Sequence, residues 1–254
     1  MCGGGAWFFP DGWFLREPAA LLRAMANSLQ SDDREGAAVH CEVRSGGAGD
    51  VVRLEAPPHG GAMLHTADGA PPLKADKVVI AAGAHSAMFA RQLGERIPLD
   101  TERGYHVAFK PQSDGGVFRR AVCSAEAGFI ASPMAGGLRA AGLVEFGGTA
   151  APPVTARWNQ LEEATHDLLR SEAQQALGKR DQSRDWLGFR PTLPDALPVL
   201  GPSRRSRDVV YNFGGQHVGW TIGGIAGEVA AALCEGREPP LDIAPYQAKR
   251  FRLW

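Results

Sequence analysis

Val78-Val79-Ile80-Ala81-Ala82 most constrains what this chain can become: five consecutive apolar residues, β-branched at the front and stopped by Gly83. A strand with one wet face alternates; a run apolar on both faces has to be covered on both. That is the habit of a strand inside a layered α/β sheet. Ser86 to Leu93 then reads as a short helix. A strand ending in Ala-Gly and entering a helix is how such folds place a ligand at the carboxyl edge of the sheet. Many buried strands also end in glycine, so tight packing is the alternative reading of Gly83.

Bulk properties narrow the setting. The 254 residues suit one large domain or two small ones, and 44% hydrophobic residues suffice for a sizeable core. The 27 basic and 28 acidic residues nearly cancel, which argues against nucleic acid as the main partner. No apolar run approaches a membrane span, and MCGGGAWFFPDGWF has neither the basic nor the long apolar region of a signal peptide. Cys2, Cys41, Cys123 and Cys234 are scattered, with no CxxC pair. A disulfide framework or zinc site is therefore not expected; reduced thiols of a cytoplasmic protein are. The histidines, at 40, 59, 65, 85, 106, 166 and 217, offer no pair with metal-ligand spacing on one helix.

Elements follow from periodicity and punctuation. Pro18 to Leu29 predicts a helix with Leu21, Leu22, Met25 and Leu29 on one face. Val39–Arg44, Val51–Ala56, Met63–Thr66 and Val78–Ala82, separated by Gly, Pro and Asp clusters, predict a β-meander. Tyr105–Phe109, Phe129–Ser132 and Leu138–Val144 predict further strands. One long helix is expected over Arg157–Leu177, with Trp158, Leu161, Thr165, Leu168, Leu169 and Leu177 on its apolar stripe. A Pro-rich stretch from Phe189 to Pro202 precedes a strand, Val209–Phe213, and a small-residue helix from about Ile222 to Cys234. The tail from Glu238 to Trp254 is Pro-rich, with a short basic helix.

Two further segments carry chemistry. Val209 to Gly224 is a strand, a glycine-rich turn holding His217, and a helix start. Unpaired N–H groups and the positive end of a helix dipole favour an anion or an electron-rich carbonyl, and glycines let a flat ligand approach the backbone. A plain strand-to-helix connection is the alternative. In Gly188-Phe189-Arg190-Pro191-Thr192-Leu193-Pro194-Asp195, rigid and apolar neighbours flank an arginine whose planar fork suits a carboxylate. The alternative is a surface arginine paired with Asp195 or Asp185.

In this order the three segments resemble the FAD-dependent oxidoreductases of the D-amino-acid oxidase superfamily, in the D-amino-acid dehydrogenase and glycine oxidase branch. DKVVIAAGAHSAMFARQLGERIPLDTERGYHV is similar to that family's strand-AAG-helix passage into the substrate domain. GFRPTLPDALPVLGPS is similar to its G-x-R-P segment, and FGGQHVGWTIGGIAGEVAAAL to its flavin-contacting turn and helix. Asp11 to Leu29 looks like the helix before the strand that borders the adenine.

The resemblance implies a mixed α/β fold. An incomplete Rossmann-like FAD-binding domain would span 1–96 and 185–254, and an antiparallel-sheet substrate domain 97–184. It implies FAD as cofactor, a small amino-acid or amine substrate, and hydride transfer to flavin that yields a keto acid and ammonia. Arg190 is implied to hold the substrate carboxylate, with His217 presented towards substrate and Tyr105 lining the pocket. Val218, Gly219, Trp220 and Thr221 would lie against the flavin pyrimidine, Gly83 near the diphosphate, and Val43 at the adenine. Packing remains the alternative for Tyr105, His217 and Val43. The chain departs from the family in one respect: the strand, G-x-G-x-x-G turn and helix that grip the diphosphate are missing, and Gly3-Gly4-Gly5 does not supply them. An N-terminally truncated member is thus implied, whose exposed sheet edges would make it fold poorly alone, dimerise, or need a separate N-terminal FAD-binding chain that carries the missing half. An inactive fragment or interaction subunit, and an α/β module for another ligand, are the competing expectations.

Overall fold

A computed structural model describes residues 7–30, 41–44, 46–111, 118–169 and 171–251. Cys2, the glycines at 3–5, Val39, His40 and residues 252–254 of the tail lie outside these.

Helix α1 (Pro18–Gln30) is followed by the antiparallel meander β1 (Val51–Glu55), β2 (Ala62–Thr66) and β3 (Leu73–Ala75). Then come β4 (Val78–Ile80), α2 (Ser86–Gln92), and the longer strands β5 (Asp100–Pro111), β6 (Val122–Ser124), β7 (Phe129–Met134) and β8 (Gly137–Phe146). The chain continues through α3 (Thr155–Leu168), α4 (Ser171–Ala176), β9 (Leu177–Arg180), β10 (Trp186–Thr192), β11 (Val199–Pro202), β12 (Val209–Phe213) and α5 (Gly219–Cys234). Mixed helix and sheet, as expected, is the fold class.

Two compact units divide these elements. The first takes the described residues up to Glu42, with Tyr105–Leu143 and Val154–Trp186; the second takes Val43–Gly104, Val144–Pro153 and Leu187–Trp254. Strands run in the order β10-β5-β8-β7-β6 in the larger sheet, with β9 also paired to β5. The chain passes from unit to unit inside β5, β8 and β10.

In the first unit, Tyr105, Phe109, Phe129, Leu138, Leu161, Leu169 and Leu177 are buried. The long helix expected over Arg157–Leu177 is instead α3, α4 and the start of β9. Leu169 leaves the helix in extended conformation (φ −95°, ψ 139°). Leu177 pairs with Pro111 of β5, and a Cβ on Gly178 would overlap the Lys110 carbonyl, so strand contact decides what helical spacing alone could not. Arg180 locks this corner, donating from Nη1 to Glu162 (2.7 Å) and from Nη2 to Asp185 (2.6 Å). The face of α1 forms as expected, yet Leu21, Leu22, Met25 and Leu29 all stay exposed.

In the second unit, β12 runs antiparallel to β11 and parallel to β4, with Tyr211 opposite Ile80. Its core gathers Leu54, Ile80, Phe89, Val199, Val209 and Phe213 among others. β4 is an edge of this sheet, and Val79 is 41% exposed, so the expected cover on both faces is incomplete. An open apolar groove of about 370 Å³ runs there between Val51, Leu64, Val78, Ala82 and Phe89. The strand expected to end at Arg44 is absent from Cys41–Arg44: Gly46 and Gly47 take positive φ (86° and 37°) and turn the chain immediately afterwards. The Pro-rich stretch from Phe189 contains most of β10 and all of β11, and α5 begins at Gly219 rather than near Ile222.

One buried polar knot fastens this unit. Gly94, with φ 75°, ends α2; its N–H donates to Arg91 and that of Glu95 to Ala90. This Schellman closure aims Glu95, 1% exposed, into the core. There its carboxylate accepts from the Ser203 hydroxyl, from Arg204 Nε (2.9 Å) and from the Tyr211 hydroxyl (2.9 Å). Burial alone would raise the Glu95 pKa, but these donors outweigh it and hold it below its ordinary value. Among the described residues Cys41, Cys123 and Cys234 are free thiols. No helix there is long and apolar enough to cross a membrane, and no His, Cys, Asp or Glu group is arranged to hold a metal.

Candidate functional site

The turn from β12 into α5 has three devices that keep side chains away. Gly214 has φ 83°, and a Cβ there would press on Leu193 Cδ1; a Cβ on Gly215 would come 3.0 Å from Gly219 Cα. Gln216 takes a left-handed φ of 46°, with its N–H donating to the Pro191 carbonyl (3.2 Å) and its amide to the Leu193 carbonyl (3.3 Å). The chain is thus pinned under the loop that follows Arg190. Helix α5 opens at Gly219, and no side chain caps it. Its first-turn N–H groups have no intrahelical acceptor and carry the positive end of the dipole.

Around this turn lies a cavity of about 300 Å³, reached by Ala81 and Gly83 beyond β4, Pro191, Asn212, Gly214, Gly215, Gln216 and Gly219. Among the described residues no charged side chain lines it. Gly83 has φ 55°, and among the described residues nothing beyond its chain neighbours stands within 4 Å of where its Cβ would be. The same holds for Gly219, Gly223, Gly224 and Gly227 along α5. Val218, Trp220 and Thr221 are exposed, Trp220 to 55%.

Arg190 is partly buried on β10. Burial lowers its pKa from the ordinary value, and the Glu102 charge opposes that shift. Its Nη1 faces the Glu102 carbonyl at 3.4 Å. Of the carboxylates named in the alternative reading, Asp195 accepts from Arg250 Nε (2.6 Å) and Asp185 from Arg180 Nη2 (2.6 Å). His217 Nε2 meets the Glu102 carboxylate at 2.5 Å. Glu102 therefore joins the two predicted residues, its backbone to Arg190 and its side chain to His217. Gly104 completes the arrangement, because a Cβ there would overlap the Arg190 guanidinium. Sequence reasoning missed both Glu102 and Gly104. The only signal was their place in Glu102-Arg103-Gly104, just ahead of Tyr105.

Tyr105 and Val43 complete the predicted set. Tyr105 is 1% exposed in the first unit; its hydroxyl accepts from the Val154 N–H (3.1 Å), and its ring meets Trp158 edge to face at 5.4 Å. Val43 is 42% exposed, outside any strand.

Comparison with known proteins bears on this geometry. The sequence model of the family described as FAD dependent oxidoreductase, DAO, matches residues 2–233. A D-amino-acid oxidase of Bradyrhizobium diazoefficiens is 36% identical over 176 residues, covering 69% of this chain and 41% of that protein. A D-amino acid dehydrogenase of Paramagnetospirillum magneticum is 30% identical over 195 residues, covering 76% of this chain and 44% of the relative. Among solved structures, glycine oxidase from Geobacillus kaustophilus superimposes with a TM-score of 0.66 at 25% identity, over 79% of this chain and 52% of that one. The chain thus spans about two-fifths of the length of these two relatives.

Proposed function

The chain belongs to the FAD dependent oxidoreductase family, and from that premise we propose that it forms the flavin-ring and substrate side of an enzyme oxidising the C–N bond of a D-amino acid or related amine. The observation that carries this is the joining of Arg190 and His217 through Glu102, next to a cavity lined by their neighbours Pro191 and Gln216.

The residues present fit the ring end of FAD. The described lining of the cavity is uncharged and rich in glycine backbone, and an uncapped helix start supplies free donors. A flat ring with polar carbonyls matches those properties, and about 300 Å³ suits a ring system rather than a whole dinucleotide. Backbone of Val218, Gly219, Trp220 and Thr221 would hold the pyrimidine edge, with the α5 dipole favouring negative charge there. Gly83 would border the diphosphate and Val43 the adenine. The chemistry FAD supplies when bound is acceptance of a hydride from the substrate α-carbon, which leaves an imino acid that hydrolyses to keto acid and ammonia.

Arg190 would hold the substrate carboxylate through its planar fork and so orient the α-carbon. His217, steadied by Glu102, would face the substrate. Gly104→Ala is expected to push the Arg190 guanidinium aside and raise KM roughly tenfold, with kcat less affected. Steady-state kinetics on a series of D-amino acids checks this, and an unchanged KM would separate Gly104 from the site.

The diphosphate grip would come from polypeptide outside these 254 residues, such as a separate N-terminal FAD-binding chain. Support for this comes from the missing G-x-G-x-x-G turn and the exposed edge of β4. The missing turn also favours a second reading, an inactive fragment or interaction subunit that keeps the fold remnant. Visible absorbance after purification with FAD decides between them. Bound flavin supports the enzyme; a colourless protein, alone and with an N-terminal FAD-binding chain added, overturns it.

A further inference from the structure

Four arginines of the first unit converge where no role has been assigned. Arg16 and Arg23, flanking the start of α1, face Arg139 of β8 and Arg184 across a cavity of about 340 Å³, with His106 at its wall. Among the described residues Glu17 is the one acidic side chain lining it. Among the described residues none of the four arginines pairs with a carboxylate. Asp185, beside Arg184 in sequence, is committed to Arg180.

The interior of the cluster is poorly compensated. Arg139 Nε is buried and has no hydrogen-bond partner. A buried donor without a partner is costly, and a buried charge without a counter-charge more so. Burial, and then the Arg184 charge, depress the Arg139 pKa; burial and the Arg139 charge do the same to His106. Geometry holds the groups in place regardless. Arg184 Nη1 donates to the Gly136 carbonyl (3.0 Å), where a Cβ on residue 136 would crowd it at 3.0 Å. His106 meets the Arg184 carbonyl through Nε2 (3.0 Å) and stacks on Trp186 at 5.3 Å.

We propose that this cavity binds a small multivalent oxyanion, a phosphate ester or polycarboxylate, with Arg139 and Arg184 as its principal donors. Such a ligand supplies the missing negative charge, and acceptor oxygens for the fork of Arg139. The site is independent of the flavin reading and lies wholly within the first unit.

Calorimetric titration of the purified chain with pyrophosphate and with citrate, at ionic strength fixed with sodium chloride, tests it. Saturable binding of one or both is expected, pyrophosphate alone marking a phosphate site and both a general polyanion site. Arg139→Met and, separately, the exposed Arg184→Gln should each weaken binding about tenfold or more, the loss of a charge-assisted contact. Arg237→Gln, in the other unit, should leave it unchanged. Arg139→Met should also melt no lower than the parent without ligand, because it removes a half-buried guanidinium whose Nε has no partner. No saturable binding, or binding undiminished in both Arg139→Met and Arg184→Gln, overturns the site, and so does a ligand-free Arg139→Met protein that melts clearly lower.

Discussion

Glu95→Ala is expected to destabilise the second unit by about 3–5 kcal/mol, the usual cost of removing one partner from a buried charged network. The substitution strands the Ser203 and Tyr211 hydroxyls and leaves the Arg204 guanidinium without its carboxylate. It also opens space where the end of α2 meets the β11–β12 hairpin. Glu95→Gln keeps the shape but not the charge and should cost less, while Tyr211→Phe should cost about 1.5–3 kcal/mol, one hydrogen bond to a charged group. Urea denaturation followed by far-ultraviolet circular dichroism measures all three. Equal, small losses would show that the network contributes little. The pH dependence has a definite sign. The folded Glu95 pKa lies below its ordinary 4.5, so its contribution is fully present above that value. It is lost as pH falls through the lower, folded pKa, and Glu95→Ala should flatten that acid limb.

Arg190→Ala carries the largest expected effect on catalysis. A lost charge-assisted pair is worth about 1.5–3 kcal/mol, so kcat/KM for carboxylate substrates should fall roughly ten- to hundred-fold, chiefly through KM. Arg190→Lys should recover only part of it, since an ammonium cannot make two parallel hydrogen bonds. Amines without a carboxylate should be nearly indifferent to both changes. Equal losses for carboxylate and carboxylate-free substrates would place Arg190 in scaffolding instead.

What was legible in the sequence depended on how local its cause is. The β12 turn into α5 is written in adjacent glycines, and Arg190 stands out because rigid neighbours frame it. The meander of β1 to β3 follows from turn residues between apolar runs. Glu102 was not legible, because its link to His217 joins positions 115 residues apart, and nothing in its neighbours announces that pairing. Glu95 was not legible either, because Ser203, Arg204 and Tyr211 reach it from 108, 109 and 116 residues away. The long helix was overextended for a related reason: Leu177 continues an apolar stripe, but its partner on β5 outweighs helical spacing. For α1 the spacing marked out an apolar face without revealing that Leu21, Leu22, Met25 and Leu29 would stay uncovered.

The bare glycines of α5 also bear on how such a sequence drifts. Gly219, Gly223, Gly224 and Gly227 sit in a helix, where each costs up to about 1 kcal/mol relative to alanine, and among the described residues nothing outside their chain neighbours and own helix backbone lies within 4 Å of their missing side chains. Folding alone gives mutation no reason to spare them, since alanine would fit and strengthen the helix. A lineage released from holding a flat ligand would be expected to lose these glycines early, while Gly214 and Gly178, pressed by Leu193 and by the Lys110 carbonyl, would persist for the sake of the fold.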